Sequence, residues 1–393
     1  MKFRNVLLML AMVLVILAVV AACAPAPTPA PTAAPPTAAP PTAVPATAVP
    51  KPTAVPPTAA PTAVPPTAAP KVGVTWKIGF ISAATGAGAS LGLPERDVAN
   101  IVAAQLKAAG GIVGPDGVKH DVQILINDDQ SSADTAATLA RRLIDQDQVQ
   151  VLVASTQTGT SLAIVPIATE AKIPTVSMAS SIDIIVDPQT KQVRTWIFKP
   201  VPGNNHSADK QAEYLKAVGV TKVCHLYSND SYGQDTFASA TASFTKAGIT
   251  IVYSNAFDPK ATEFPQLAQA KSSGCDTVVI GAIPPGSSVM NVAVRDALPT
   301  VRIVHGHGSC SADLVKQAGK AAEGTVMPCG KILVADSLPD SDPAKALDQK
   351  LIKDYTAATN GTAISTFAGH AYDALQWAIN GLKALPDGGT LAD

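Results

Sequence analysis

"VQVLVASTQTGTSLAIVPIATEAKIPTVSM" (149–178) is the stretch whose reading decides the fold. "VQVLVA" (149–154) is a short run of mainly β-branched residues and reads as a buried strand. Polar residues follow, and Ser161 to Ala171 then carries a helical pattern that ends before Pro174. "IPTVSM" (173–178) reads as the next strand. Strand, helix and strand within thirty residues make a βαβ unit, and such units assemble into parallel sheets.

Working outward, the same rhythm fills the body of the chain. "WKIGFIS" (76–82) and "DVQILIN" (121–127) read as strands, each followed by a helix. The first of those helices spans Pro94 to Ala109 and stops at Gly110-Gly111. The second spans Ala133 to Gln146, with Ser131 or Ser132 as its cap. After a break near Lys199–Gly203 a second series begins. Its strands are "KVCHLY" (222–227), "ITIVYS", "DTVVIGA" and "VRIVHG". Its helices lie near Ser207–Val218, Tyr232–Ala247, Phe264–Ser273 and Ser288–Ala297. Two series imply two parallel sheets, so the fold class is α/β with two Rossmann-like lobes. Parallel α/β sheets bind ligands beyond the carboxyl ends of their strands. The loops after residues 82, 154, 177, 227, 281 and 305 are therefore the places to look.

The N-terminus has a different chemistry. Lys2 and Arg4 precede the charge-free apolar core Val6–Val20, and Val20-Ala21-Ala22 leads to Cys23. A core of about fifteen residues is short for a bilayer-spanning helix and suits a secretory signal. The residues before Cys23 resemble the lipobox of bacterial lipoproteins, which implies removal of 1–22 and lipidation of Cys23. Residues 24–70 repeat "PTAAP" and "PTAVP" with one charge, Lys51. Proline at this density excludes helix and ladder and favours extended polyproline II. At about 3.1 Å per residue, the tract 23–70 would make a semi-rigid stalk of up to roughly 150 Å.

Three of the 29 basic residues (Lys2, Arg4 and Lys51) fall in this leader and tract, which leaves 26 basic against 30 acidic in 71–393. With no basic run and only 4% aromatic residues, the composition argues against a nucleic-acid surface. Export permits disulfides. Cys310 and Cys329 stand on neighbouring loop-like stretches and form the favoured pair, while Cys224 and Cys275 read as buried free thiols. Four cysteines allow three pairings, and the others stay open.

Three motifs invite chemistry and are read otherwise. "TGAGASLG" (85–92) misses the dinucleotide fingerprint because Leu91 stands where the third glycine belongs. "GTSLA" (159–163) lacks the last glycine of a nucleophile elbow, so Ser161 reads as a helix-start residue. His305 and His307 stand two apart at a strand end, with no carboxylate or CxxC pair to complete a metal site. No catalytic residue, metal or cofactor is assigned, and the chain does not read as an enzyme.

Taken together, "IGFISAATGAGASLG", "INDDQSSADTAATLARRLIDQDQVQVLVAS", "TGTSLAIVPIATEAKIPTVSMASSID", "YSNDSYGQD" and "AGHAYDALQWA" resemble the solute-binding proteins of branched-chain amino-acid and amide ABC importers, the type I periplasmic-binding fold. The resemblance implies an N-lobe of 74–199 completed by 331–393, and a C-lobe of 200–330. It implies hinge closure on a small solute, an amino acid, an amide or a small carboxylate, delivered to a permease and its ATPase by an exported monomer, lipid-anchored to the outer face of the cell membrane or in the periplasm. Carried over, Thr158 places a hydroxyl on the solute carboxylate. Ala179 and Ser181 form a second contact loop, and Tyr232 covers the solute from the C-lobe. Amino-acid binders of the family hold the ammonium with an acid where this chain has His307, which points to an amide, a small carboxylate or an aromatic acid. Family members also continue beyond "AYDALQWAINGLKAL", so the resemblance implies closing elements after "GGTLAD". A sensing module of the same fold, passing its signal to a regulator, is the alternative.

Overall fold

Ten strands and ten α-helices form two parallel-dominated sheets in the computed structural model, which describes residues 73–385. Residues 1–22, Cys23 and the proline tract lie outside the described residues.

The first sheet has the order β2-β3-β1-β4-β5-β6. Its strands are β1 (Thr75–Ser82), β2 (Ile112–Val113), β3 (Lys119–Asp128), β4 (Val151–Ala154), β5 (Thr175–Val176) and β6 (Ile197–Phe198). All pair in parallel except β2, which runs antiparallel to β3. Both faces are covered, which is why the central strands carry apolar residues on either side. Trp76, Ile78 and Phe80 of β1 pack beneath α1 (Ala89–Ala109), α9 (Lys345–Ala358) and α10 (Thr366–Lys383). Ile81 and Leu152 face α2 (Ala133–Asp145) and α3 (Thr158–Ala171) on the other side.

The second sheet has the order β10-β9-β7-β8, all parallel. Its strands are β7 (Lys222–Ser228), β8 (Thr250–Phe257), β9 (Thr277–Gly281) and β10 (Arg302–His305). α4 (Asn204–Ala217) and α5 (Ser231–Ala247) cover one face. α6 (Leu267–Ser272) and α7 (Gly286–Ala297) cover the other. After α8 (Ala312–Ala318) a 3-10 segment, Lys331–Ser337, brings the chain back to the first lobe through contacts with α9 and α10.

Several elements differ from the sequence expectation. α1 starts at Ala89 rather than Pro94, so Pro94 is the sixth residue of the helix, where it forgoes the bond to the Ser90 carbonyl while the helix continues through it. The strand read from "IPTVSM" shrinks to Thr175–Val176, since the residues after it turn into the interlobe cavity. α2 is capped by Ser132, whose hydroxyl accepts from the Thr135 N–H. Cys310 and Cys329 are bonded, with Cα atoms 5.7 Å apart. The reading of Cys224 and Cys275 as free thiols is overturned: they too form a disulfide, with Cα atoms 5.6 Å apart. β7 and β9 are adjacent strands, and that adjacency brings the two cysteines together across a long sequence separation.

Candidate functional site

A cavity of about 250 Å³ lies where the carboxyl ends of the two sheets face each other. The first lobe lines it with Leu91 of α1, Ser131 after β3, Thr156–Thr160 after β4 and Met178–Ser180 after β5. The second lobe contributes Asp230–Tyr232 after β7, Ile283 after β9, and His307 and Gly308 after β10. Phe367 and His370 of α10 close it.

Two helices begin at this cavity, and they begin differently. At α5 the Asp230 carboxylate caps the helix by accepting from the Gly233 N–H at 2.8 Å. At α3 the cap position is Gln157, and no side chain caps the first turn. Thr158 is 2% exposed, and its hydroxyl oxygen and the Gln157 Oε1 are buried without a hydrogen-bond partner. Unpaired amides at a helix start favour an anion, both by direct donation and through the helix dipole. A β-carbon on Gly159 would stand 4.0 Å from the Ser231 Oγ, so the two helix starts face each other closely.

The loop carrying the α3 start is held from below by buried polar groups. Ser161 donates to the Ser155 carbonyl (3.1 Å) and accepts from the Ser155 N–H (3.2 Å) and the Ser177 hydroxyl (3.0 Å). That hydroxyl is therefore committed to shaping the loop. Ser155 donates to Asp129, and Thr156 donates to Glu95 while accepting from the Ala83 N–H at 2.8 Å. Burial raises the Glu95 carboxyl well above the usual range against the lowering effect of Thr156, and the neighbouring Asp129 raises it further. Asp129 is also raised by burial, against the hydrogen bonds from Ser155 and Ser131. Glu95 Oε1 has no partner.

The opposite wall is aromatic and imidazole. Tyr232, 9% exposed, accepts from the Gly308 N–H at 3.0 Å and keeps its own proton free to donate. A side chain on Gly308 would collide with the Tyr232 ring, which is why that loop position suits glycine. His305 and His307, two apart, would share a face on a continuing strand, but β10 ends at His305 and the chain turns at Gly306 into the 3-10 helix His307–Ser309, so the two side chains diverge. His305 turns into the C-lobe, 2.9 Å from the Asn291 Oδ1 and 3.1 Å from the Ser309 hydroxyl. His307 turns into the cavity, 7% exposed, with Nδ1 unpartnered. His370 joins it, 8% exposed and likewise unpartnered at Nδ1. Burial, then Lys199 and His206, lowers the His307 pKa to about 4. Burial, then His307 and Lys199, lowers that of His370 to about 3. Both imidazoles are neutral at pH 7. Lys199, whose ammonium donates to the Val201 carbonyl at 2.8 Å, is itself lowered by burial to about 8.

Of the residues singled out from sequence, Thr158, Ala179, Tyr232 and His307 all line this cavity. Ser181 does not. It accepts from the Asp183 N–H as the cap of the 3-10 helix Ile182–Ile184 and lines a separate interlobe cavity, and Ser180 takes the place beside Ala179. Sequence reasoning missed Phe367 and His370, which sit on a helix far from any strand end. The one available signal was a histidine at helical spacing from a phenylalanine on an otherwise apolar stripe. Among the described residues, no group of three or more His, Cys, Asp or Glu side chains is placed to hold a metal ion.

Comparisons agree with this architecture. A family model described as periplasmic binding protein matches residues 75–393. An amino acid binding protein of Pseudomonas aeruginosa is 24% identical over 258 residues, which span 64% of this chain and 66% of that relative. An extracellular ligand-binding receptor from Rhodopseudomonas palustris superimposes with a TM-score of 0.69 at 26% identity, over 78% of this chain and 82% of that one. The branched-chain amino acid transporter substrate binding protein LivJ from Streptococcus pneumoniae, solved with isoleucine, has a TM-score of 0.67 at 23% identity, over 80% of this chain and 86% of that one.

Proposed function

The chain belongs to the periplasmic binding protein family, and on that premise we propose that it is a leucine-binding-protein-like, solute-capturing receptor of an ABC importer. The observation that carries the reading is the uncapped, buried start of α3 facing a cavity between two lobes. A solute carboxylate completes that helix end, accepting from the first-turn amides and the Thr158 hydroxyl. The backbone beside Ala179 and the Tyr232 hydroxyl complete its polar contacts, while Leu91, Met178, Ile283 and Phe367 surround the apolar part.

The solute is a small carboxylate, an amide or an amino acid, and capture is by hinge closure. A ligand touching both lobes stabilises the closed arrangement, which the permease then recognises. The lobes 74–199 with 331–393, and 200–330, are the moving bodies. No bond is made or broken, and ATP is the partner's. The lipid on Cys23 and the stalk 23–70 hold the receptor, as a monomer, at the outer face of the cell membrane.

The test is thermal unfolding of the purified protein with a panel of small carboxylates, amides and amino acids. A ligand at a hundred times its Kd adds about 2.7 kcal/mol and raises the midpoint by several degrees. A folded protein that responds to none of them overturns the reading. For the anchor, Cys23→Ser should release the protein into the medium, and continued membrane retention would overturn lipidation.

A further inference from the structure

The two histidines facing the cavity carry more information than the carboxylate site. His307 reaches it from the end of β10 and His370 from the first turns of α10. Each is more than nine-tenths buried and each leaves Nδ1 without a partner. Buried nitrogens left so are rare unless a ligand satisfies them. We propose that His307 and His370 form a specificity subsite for an uncharged group that both donates and accepts, a hydroxyl or a carboxamide, on a solute whose carboxylate sits at the start of α3. This rests on the carboxylate-capturing reading above and narrows its solute class.

Three end groups compete for such a place, and charge decides between them. An ammonium would need a carboxylate partner. The charged groups acting on the histidines are Lys199, which follows β6, and His206 of α4, together with each other. The acids of the region, Asp230 and Asp235 on α5, act instead on Tyr232, and Asp235 also acts on Lys199. A cation beside the imidazoles therefore meets the Lys199 ammonium, and the one acid that lines the cavity, Asp230, is engaged in capping α5. A second carboxylate would need one imidazole to take up a proton. With His307 held near 4, that form is about a thousandfold disfavoured at pH 7. A neutral donor-acceptor meets neither penalty, because each neutral imidazole offers one N–H and one lone pair. Tyr232 supplies a further free hydroxyl on the same wall.

The experiment measures Kd at pH 7 for matched sets that differ in one group. Leucine is set against its α-hydroxy analogue. γ-Aminobutyrate and succinate are set against γ-hydroxybutyrate and succinamate. Para-(aminomethyl)benzoate and terephthalate are set against para-hydroxybenzoate and para-carbamoylbenzoate. The hydroxyl or amide member of at least one frame should bind about tenfold or more tighter than its charged counterparts. Titration in two buffers of different ionisation enthalpy should show no proton uptake with it. His370→Leu and His307→Leu should each collapse the preference, and His370→Asn should restore part of it. A charged member that binds best, or binding with uptake of one proton, overturns the subsite while leaving the receptor reading intact. Preference unchanged in both leucine variants also overturns it. Silence from every probe overturns the carboxylate reading and the subsite with it.

Discussion

The two walls of the cavity are built on opposite plans. On the N-lobe side Ser155, Ser161, Ser177 and Thr156 hold one another and two buried carboxyls, so the loop before α3 is fixed by hydrogen bonds behind it. On the other side Tyr232 is tied only to Gly308, and His307 and His370 have no polar partner for Nδ1. On the proposed reading the first wall is organised by the protein for the carboxylate that every solute of the class shares. The second is left for the solute to complete. Affinity common to the class belongs to the first wall, and discrimination belongs to the second.

The two disulfides break the comparison most strongly. Replacing Cys224 and Cys275 by serine opens a 51-residue loop and should cost about 4 kcal/mol of stability with solute affinity unchanged, because the bond lies within the C-lobe core. Replacing Cys310 and Cys329 opens a 19-residue loop and should cost about 3 kcal/mol. That pair should also weaken binding, since Cys310 ends the His307 loop and lies 3.6 Å from the Thr366 hydroxyl at the start of α10. Chemical denaturation and titration on both variants check the contrast. Equal losses of affinity would remove it.

Gly308→Ala comes next. Its methyl would collide with the Tyr232 ring and approach Ile283 to 3.0 Å, at an expected cost of about 1–3 kcal/mol in binding. Thr158→Ala on the opposite wall should weaken binding by a comparable 1–3 kcal/mol, roughly uniformly across solutes that share the carboxylate. Gly308→Ala should instead change their ranking. Ser181→Ala, which loosens the 3-10 cap, should lower stability by about 1 kcal/mol and leave the ranking alone.

The smallest effect is a pH dependence with two opposed signs. Glu95 has a raised pKa in the folded protein, so its contribution is fully present below the unfolded carboxyl value and is lost as pH rises through the folded one. Glu95→Gln should therefore gain stability relative to the parent as pH rises. His307 and His370 are depressed to about 4 and about 3, so their contribution is present above about 6.5 and is lost on acidification through those values. Their replacement by leucine should flatten the acid limb only. Midpoints measured from pH 4 to 9 separate the two, and a Glu95→Gln curve parallel to the parent would remove that carboxyl from the account.

The alternation of strand and helix was legible because periodicity is a local property. Thr158, Ala179, Tyr232 and His307 came from the family resemblance, and the structure places all four on the lining of the cavity at the strand ends. What stayed hidden depended on distant neighbours. The Cys224–Cys275 bond requires knowing that β9 lies beside β7, which the order of the sequence does not state. β2, β5 and β6 are two residues long, too short to carry a period. His370 belongs to a helix that returns to the first lobe, and only that return brings it to the cavity. Ser181 was misplaced because neighbouring serines look alike in sequence, while their side chains face different cavities.

The difference between the two helix starts has a last consequence. α5 carries its own acid, so its Gly233 amide is satisfied whether or not a solute is bound. α3 has no side-chain cap, and on the proposed reading the solute supplies one. Solute binding should therefore slow deuterium exchange at the amides of Thr158, Gly159 and Thr160 while leaving the Gly233 amide as it was. A helix that is finished only by its cargo reports occupancy at its own first turn.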